Sequence, residues 1–167
     1  MRIPFTKAHG TKNDFLLTWG NEAPRERLAE VARAICDRHT GVGADGWMLV
    51  SPSPPASGYD GEICLFNADG SAAEISGNGT RCAAAFLVDA GAGGGALRLK
   101  TAAGMRELRM VEHRGLFFRF EMGMGRPAWE DSQVRFDLPL RESSRDVTIM
   151  NVGNPQCALF VENFAFE

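Results

Sequence analysis

The sequence predicts an α+β fold, in which a mostly antiparallel sheet wraps around one central buried helix. Residues 80–91, TRCAAAFLVDAG, are apolar on nearly every side, and a helix with this pattern is enclosed by other elements. Short stretches with alternating apolar and polar residues lie before and after it and are separated by glycines, which is typical of antiparallel strands. With 167 residues and 44% hydrophobic side chains, the chain can bury a core of this kind.

The N-terminal part of the chain predicts two strands and one helix. Residues 3–7 and 14–19 are short apolar or alternating stretches, and the polar turn HGTKN joins them. Pro24 then begins a segment that has apolar residues at helical spacing. We therefore expect an amphipathic helix that ends at about residue 38 and lies outside the sheet.

The middle of the chain predicts strands on both sides of the buried helix. Strands are expected at residues 47–50 and 61–66, and a loop rich in Pro, Ser and Gly separates them. After the helix, three stretches with period-two alternation predict three further strands, at residues 96–104, 105–113 and 116–125. Together with the N-terminal strands, they complete the predicted sheet.

The composition changes after residue 125, and we expect a domain boundary there. Residues 126–146 are a linker-like or partial strand region, and residues 147–163 predict two strands around a Gly-Asn-Pro turn. These elements are too few to bury a core of their own, because a sheet face has to pack against another layer. The sequence therefore predicts an N-terminal lobe at residues 1–125 and the start of a second, incomplete lobe at residues 126–167.

Composition excludes several classes of function and partner. The net charge of −3, the pI near 5.7 and the scattered Lys and Arg residues argue against a nucleic-acid partner. No apolar stretch approaches the roughly 18 residues that span a bilayer, and the N-terminus lacks the features of a signal peptide. The four cysteines lie far apart without metal-ligand spacing, so we expect reduced thiols, a cytoplasmic location and no metal site.

Ser76 lies where a nucleophile would be expected, but serine is poorly suited to the position. Residues 67–82, NADGSAAEISGNGTRC, put it just before a Gly-Asn-Gly triplet at the predicted start of the buried helix. The helix dipole there lowers the pKa of a thiol from about 8.5 toward 7. Ionising such a thiol at pH 7 costs about 2 kcal/mol, against roughly 12 kcal/mol for an alcohol with a pKa near 15.7. Serine would need a general base beside it, and no histidine lies in a serine-centred motif.

The Gly-Asn-Gly triplet predicts an anion site at the start of the helix. Gly77 and Gly79 permit positive φ and a close approach of another molecule to the main chain. If the helix begins near Gly79, the amides of residues 77–80 point outward from its positive end, where a carboxylate or phosphate can bind. Asn78 and Thr80 can then cap the helix. The alternative is a tight strand-to-helix turn that binds nothing.

Four motifs together identify a family. HGTKNDFLL, DRHTGVGADG, FNADGSAAEISGNGTRC and VGNPQC resemble the diaminopimelate epimerase family in order and spacing, over nearly the whole chain. The resemblance implies two similar lobes, each a sheet around a central helix, with the active site in the cleft between them. It also implies an isomerase that needs neither pyridoxal phosphate nor another cofactor. One thiolate would remove the α-proton of LL- or meso-diaminopimelate while an opposing thiol protonates the other face, in lysine and peptidoglycan synthesis.

The resemblance also implies roles for individual residues. Asn13 and Asn67 would contact the distal amino-carboxyl end of the substrate, and Asn154 would join them from the second lobe. Gly77 and Asn78 would offer their backbone amides to the reacting carboxylate. The implied partner is this small molecule, and a homodimer is left open.

The chain departs from the family pattern in two ways. Ser76 stands at the position of a catalytic cysteine, and the chain stops at residue 167 while the family continues well beyond that point. The second catalytic cysteine would lie in the missing part. We therefore expect the chain by itself to be inactive.

Alternatives remain for single residues and for the whole chain. Cys82 is expected to be a packed core cysteine, with a replacement base as the other interpretation, and Cys64 and Cys157 are also expected in the core. Asp45 is expected to fix a loop by hydrogen bonds, with substrate contact as the alternative. The chain could also be a related racemase or isomerase of the same fold, or a silent homologue that binds an amino acid or a partner.

Overall fold

The computed structural model describes residues 2–141, 143–153 and 155–163 and divides the chain into two compact units. The first unit is Met1–Gly123 and the second is Met124–Glu167. Each unit contains its own sheet. The assignment of these units to one whole lobe and the start of another stays a prediction.

An eight-stranded sheet and two helices form the first unit. In chain order they are β1 (Thr6–Gly10), β2 (Asn13–Trp19), α1 (Leu28–Cys36), β3 (Gly46–Pro52), β4 (Gly61–Asn67), β5 (Ala72–Ala73), α2 (Gly77–Asp89), β6 (Ala96–Thr101), β7 (Gly104–Arg114) and β8 (Phe117–Met122). The strand order is β1-β2-β3-β4-β6-β7-β8, and β5 pairs with β4. The β2–β3 and β4–β6 pairs are parallel and the others are antiparallel, so the predicted α+β fold with a mostly antiparallel sheet is confirmed.

The first hairpin lies further along the chain than the sequence indicates. β1 covers Thr6–Gly10 rather than residues 3–7, because the chain reverses in a two-residue turn at Thr11 and Lys12. Both turn residues have positive φ, 54° and 70°, as a type I′ turn requires, and the twist of that turn matches the twist of paired strands. The turn places Asn13 at the first position of β2.

The central strands carry side chains into two separate cores. Leu17 and Met48 belong to the cluster that includes α2, whereas Leu16 and Trp47 belong to the cluster that includes α1. Because successive side chains of a strand point to opposite faces, a strand covered on both sides has to be apolar almost throughout. The buried indole N–H of Trp47 donates to Thr18 Oγ1 at 2.9 Å, which satisfies both polar groups.

α2 is the central helix that the sequence predicts. Ala83, Ala84 and Leu87 have no exposed surface, and the helix contacts β1, β2, β3, β4, β6 and β8. Small alanine side chains let the strands approach the helix closely, which gives the dense packing that is typical of a protein interior. α1 is shorter than predicted because Arg27, with φ of 60°, has a left-handed conformation outside the helical region.

The second unit contains a three-stranded antiparallel sheet. Its strands are β9 (Phe136–Pro139), β10 (Ser144–Asn151) and β11 (Pro155–Ala158), in the order β11-β10-β9. Of the two interpretations of residues 126–146, linker-like or partial strand, the second is confirmed, because β9 and the start of β10 lie there. Pairing with β10, which local alternation does not reveal, makes β9 a strand.

Candidate functional site

Two of the predicted site residues lie at one edge of the large sheet. Gly46, at the start of β3, pairs with Phe15 on β2 and with Asn67 on β4. Because β2 is parallel and β4 antiparallel to β3, the starts of β2 and β3 share an edge with the end of β4. Asn13 begins β2 and Asn67 ends β4, so the topology brings both to this edge.

The first turn of α2 lies beside Asn13. The Asn78 Nδ2 group donates to Asn13 Oδ1 across 3.4 Å, a long hydrogen bond. A Cβ atom added at Gly10 would lie 3.2 Å from the backbone oxygen of Asn78. The glycine therefore lets β1 approach the start of α2 closely, as a larger residue could not.

Ser76 is the N-cap of α2. Its backbone is extended, with φ of −130°, and its Oγ accepts a hydrogen bond from the Gly79 amide at 3.1 Å. The Thr80 amide donates to the Ser76 carbonyl at 2.8 Å. The helix therefore begins at Gly77 rather than near Gly79, and the predicted caps at Asn78 and Thr80 are wrong. A serine just before the first helical residue reaches the third amide with its short side chain and satisfies it.

Space, rather than positive φ, explains the glycine in the first turn. Neither Gly77 nor Gly79 has a positive φ, which corrects the expectation of left-handed backbone at the triplet. A Cβ atom at Gly79 would lie 3.0 Å from Met48 Sδ and 3.2 Å from Phe15 Cζ. Both neighbours are buried core residues, so Gly79 allows α2 to begin directly against the sheet.

A chain of hydrogen bonds connects the start of α2 to β3. Arg81 Nη2 donates to Asn78 Oδ1 at 2.5 Å, and Asn78 in turn donates to Asn13. Asn13 Nδ2 donates to Asp45 Oδ2 at 2.6 Å, and the same oxygen accepts the Asp14 amide at 3.0 Å. The contacts of Asp45 fit its expected role in fixing a loop.

Arg38 connects two carboxylates, those of Asp14 and Asp45, next to these hydrogen bonds. It donates to Asp14 Oδ1 at 2.7 Å and to Asp45 Oδ1 at 2.8 Å, while Lys7 Nζ lies 3.1 Å from Asp14 Oδ2. The hydrogen bond from Arg38, with help from Lys7, holds the pKa of Asp14 well below its usual range. Charge pairing of this kind ties the starts of β2 and β3 to the residues that follow α1.

Asn67 belongs to a tight turn that follows β4. Its amide and its carbonyl hydrogen-bond to Ser71 and Gly70, and its Nδ2 donates to Ser71 Oγ at 2.9 Å. Ser71 Oγ donates to Asp69 Oδ1 at 2.6 Å, and these contacts lower the pKa of Asp69. Gly70 has φ of 81° and packs against the Ala29 carbonyl, where a Cβ atom would lie at 2.4 Å.

A family sequence model described as diaminopimelate epimerase matches residues 5–129. The chain belongs to the diaminopimelate epimerase family. This match confirms the resemblance and includes three of the four motifs, all except VGNPQC. It covers the β1–β2 hairpin, the DRHTGVGADG segment, the turn after β4 and all of α2.

Individual diaminopimelate epimerases match over almost the whole chain. The protein from Archaeoglobus fulgidus is 37% identical over an alignment of 175 positions, which covers 100% of this chain and 61% of that protein. The protein from Halothermothrix orenii is 33% identical, over 98% of this chain and 62% of that protein. The one from Synechococcus sp. is 39% identical, over 96% and 60%. The chain thus spans about three fifths of the length of these relatives.

Solved structures show the same fold at low sequence identity. A hydroxyproline epimerase from Agrobacterium vitis, with bound trans-4-OH-L-proline, has a TM-score of 0.74 and 14% identity, over 93% of this chain and 50% of that one. A probable proline racemase from Agrobacterium radiobacter, with bound carbonate, has a TM-score of 0.71 and 16% identity, over 95% and 52%. These likenesses support the diaminopimelate-epimerase-like fold.

The cysteines of this diaminopimelate epimerase family member differ in burial. Cys82 lies inside α2 in the main core, and burial raises the pKa of its thiol to about 11. It is therefore a core thiol that stays protonated at neutral pH. Cys64 and Cys157 are exposed, so their predicted place in the core is wrong. On β4, Cys64 alternates with buried Ile63 and Leu65, so its side chain points to the opposite face from theirs.

The predicted site residues are brought together in part. Ser76, Gly77 and Asn78 form the start of α2, with Asn13 in contact and Asn67 at the same sheet edge. Asn154 lies outside the described residues. The sequence did not reveal the positions of three other polar residues, although all lie within or beside the family motifs: Arg38, Asp69 and Arg81.

Neither a metal cluster nor a membrane helix occurs in the part of the chain that the structure describes. No three of its His, Cys, Asp and Glu side chains are grouped to hold a metal ion. None of its helices is both long and apolar enough to cross a bilayer.

Proposed function

We propose that the chain forms part of a cofactor-independent amino-acid epimerase that interconverts LL- and meso-diaminopimelate by proton transfer at the α-carbon. One observation carries the proposal: a diaminopimelate epimerase family member has a capped helix start beside Asn13, at the edge where Asn67 lies. Protein side chains would act as base and acid, without pyridoxal phosphate. The reaction would take place in the cytoplasm and serve lysine and peptidoglycan synthesis.

The start of α2 would hold the carboxylate at the reacting centre. The first N–H groups of a helix have no partner within it, and Ser76 Oγ already accepts that of Gly79. The amides of Gly77 and Asn78 are therefore the donors that a carboxylate would meet first. Aligned peptide dipoles add a partial positive charge. Both effects stabilise the negative charge that develops on the carboxylate when the α-carbon loses its proton.

Ser76 supports a second part of the proposal, that the chain as it stands does not transfer the proton. Its oxygen accepts the Gly79 amide, and within the described residues no histidine, lysine or carboxylate forms a hydrogen bond with it. An alcohol in this position has no base to activate it. The same observation favours a second candidate function, a homologue that binds diaminopimelate without turning it over. A homodimer would be compatible with either function.

Deuterium exchange in a chimeric enzyme tests the proposal. Residues 1–167 would replace the matching 61% of the Archaeoglobus fulgidus relative, with either Ser76 or Ser76→Cys. Proton NMR in deuterium oxide would follow the α-hydrogen of LL-diaminopimelate. Because a positioned base contributes about 10²–10⁴-fold, we expect the Ser76 chimera to exchange more slowly by roughly that factor.

The outcomes separate the two candidates. Exchange that is restored by Ser76→Cys supports an epimerase site. A folded Ser76→Cys chimera that binds diaminopimelate without exchange supports the silent homologue. Turnover of either isomer by the purified 167-residue chain would contradict the proposed loss of activity.

A further inference from the structure

The amide of Asn13 can have only one orientation against its neighbour. Its contact at 2.6 Å is with Asp45 Oδ2, and an ionised carboxylate accepts hydrogen bonds but donates none. Arg38 engages the other carboxylate oxygen of Asp45 at 2.8 Å. Asn13 therefore has to turn its NH2 group toward Asp45, and its carbonyl oxygen points the other way.

Two successive hydrogen bonds fix the side-chain amide of Asn67, and they too end at a carboxylate, that of Asp69. Asp69 accepts the single hydroxyl hydrogen of Ser71, at 2.6 Å. Ser71 Oγ is thereby left with acceptor capacity only, so its 2.9 Å contact with Asn67 requires Asn67 to donate its NH2 group. The carbonyl oxygen of Asn67 remains available.

The Asn78 side chain completes this pattern at the start of α2. The Arg81 guanidinium can only donate, so Asn78 turns its carbonyl oxygen toward it and its NH2 group toward Asn13. At 3.4 Å, the hydrogen bond between Asn78 and Asn13 is the longest of those that connect Arg81 to Asp45. A ligand cation with shorter hydrogen bonds would compete successfully for the Asn13 carbonyl oxygen.

We propose that Asp45, and Asp69 through Ser71, are positioning residues that turn the carbonyl oxygens of Asn13 and Asn67 toward a ligand. Two acceptor oxygens at one sheet edge select an ammonium group over a carboxylate. This inference rests on the proposed function, in which both asparagines contact the amino-carboxyl end of diaminopimelate. It adds that the amino group, rather than the carboxylate, is what these two side chains bind.

Water-exchange NMR on the ¹⁵N-labelled 167-residue chain tests the amide orientations without any ligand. We expect the side-chain NH2 hydrogens of Asn13 and Asn67 to exchange roughly tenfold more slowly than those of exposed Asn21. Ser71→Ala should remove the protection of Asn67 only, and Ser71→Thr, which keeps the hydroxyl, should restore it. Equal exchange of all three asparagines in the unmodified chain would overturn the proposal.

A second pair of variants separates amide orientation from the ion pair. Asp45→Asn offers Asn13 either a donor or an acceptor, so the protection of Asn13 should fall toward that of Asn21. Arg38→Gln removes the ion pair but keeps the Asp45 carboxylate, so the protection of Asn13 should remain. If both variants lose the protection of the Asn13 NH2 group equally, Asp45 acts only as a structural ion-pair partner and the proposal is wrong.

Binding measurements test the selectivity for an ammonium group. By titration calorimetry, the unmodified chain should bind diaminopimelate about tenfold more tightly than 2-aminopimelate, which lacks one amino group. Asp45→Asn should reduce this ratio, and Asp60→Asn, a remote carboxylate that also accepts a backbone amide, should not. A ratio that Asp45→Asn leaves unchanged would overturn the inference. Absence of binding to either compound would instead contradict the proposed function, while the exchange data still decide the amide orientations.

Discussion

The Ser76 hydroxyl and the Gly79 amide form the hydrogen bond that begins α2, at 3.1 Å. Ser76, where the resemblance implies a catalytic cysteine, therefore has a structural role in this chain, as the helix cap. The bond also leaves the amides of Gly77 and Asn78 as the donors that would meet a carboxylate. One position thus determines both the stability of the helix start and the chemistry that it can perform.

Removal of the cap should destabilise the chain. Ser76→Ala leaves the Gly79 amide without its acceptor, and the free energy of unfolding should fall by about 1 kcal/mol. Urea denaturation followed by circular dichroism measures the change. Ser57→Ala, in an exposed loop, is the control and should alter stability by less than about 0.5 kcal/mol. Equal effects of the two substitutions would contradict the assignment of Ser76 as the cap.

A methyl group at Gly79 should disturb the packing of α2 on the sheet. Gly79→Ala gains up to about 1 kcal/mol of helix propensity, but its Cβ atom would crowd Met48 and Phe15 in a closely packed core. Overpacking of this kind costs about 1–3 kcal/mol, so a net loss of about 1 kcal/mol in unfolding free energy is expected. Gly94→Ala, where no atom lies within 4 Å, is the matched control. A Gly79→Ala variant more stable than the unmodified chain would show that Met48 and Phe15 move to accommodate the methyl group, and would contradict the prediction.

Acid should weaken the fold through Asp14. Because Arg38 holds its pKa in the folded state below the ordinary value of about 3.9, the Asp14 contribution is fully present above that value. It is lost as the pH falls below about 4 toward the pKa of the folded state. Between pH 5 and 3, the unfolding free energy of Asp14→Asn should therefore depend less on pH, by up to about 1.4 kcal/mol per unit. Identical slopes in urea denaturation for both proteins would refute the pairing, and exposed Asp146→Asn is the control.

Thiol labelling should distinguish the four cysteines. At pH 8, iodoacetamide should modify exposed Cys64 and Cys157 in the native chain, and mass spectrometry identifies the sites. Cys36 and Cys82 are buried, and burial raises the pKa of each thiol to about 11, so both should react only in denaturant. Rapid labelling of Cys82 in the native chain would restore it as a candidate base.

The sequence predicts elements that depend on composition and local pattern. An apolar stretch rich in alanine has to be enclosed, so α2 was predictable, as were the strands with clear alternation. The sequence predicts the helix start two residues too late, because its glycines indicate freedom of the backbone rather than close packing. In the structure, Gly79 is needed for the space between α2 and Met48, a contact between residues far apart in the chain.

The polar residues around the site were less predictable. Their motifs were visible, but the pairing of Arg38 with Asp14 and Asp45 joins residues from three separate segments. No periodicity reveals which distant carboxylate a surface arginine meets. The parallel pairing of β2 with β3 brings these segments side by side. To predict it, one has to know that the connection through α1 crosses over and places β3 next to β2.

The pKa of a thiol introduced by Ser76→Cys tests the central claim most directly. Position 76 lies at the positive end of α2, and Cys82, six residues further along the chain and buried in the core, serves as an internal comparison. The difference in thiolate absorbance at 240 nm between the Ser76→Cys variant and the unmodified 167-residue chain removes the signal of the four native cysteines. During a pH titration this difference should give a pKa below 8.5, toward 7, for the introduced thiol. A value at or above 8.5 would show that the start of α2 does not stabilise a thiolate, and the proposed proton chemistry at this position would be wrong.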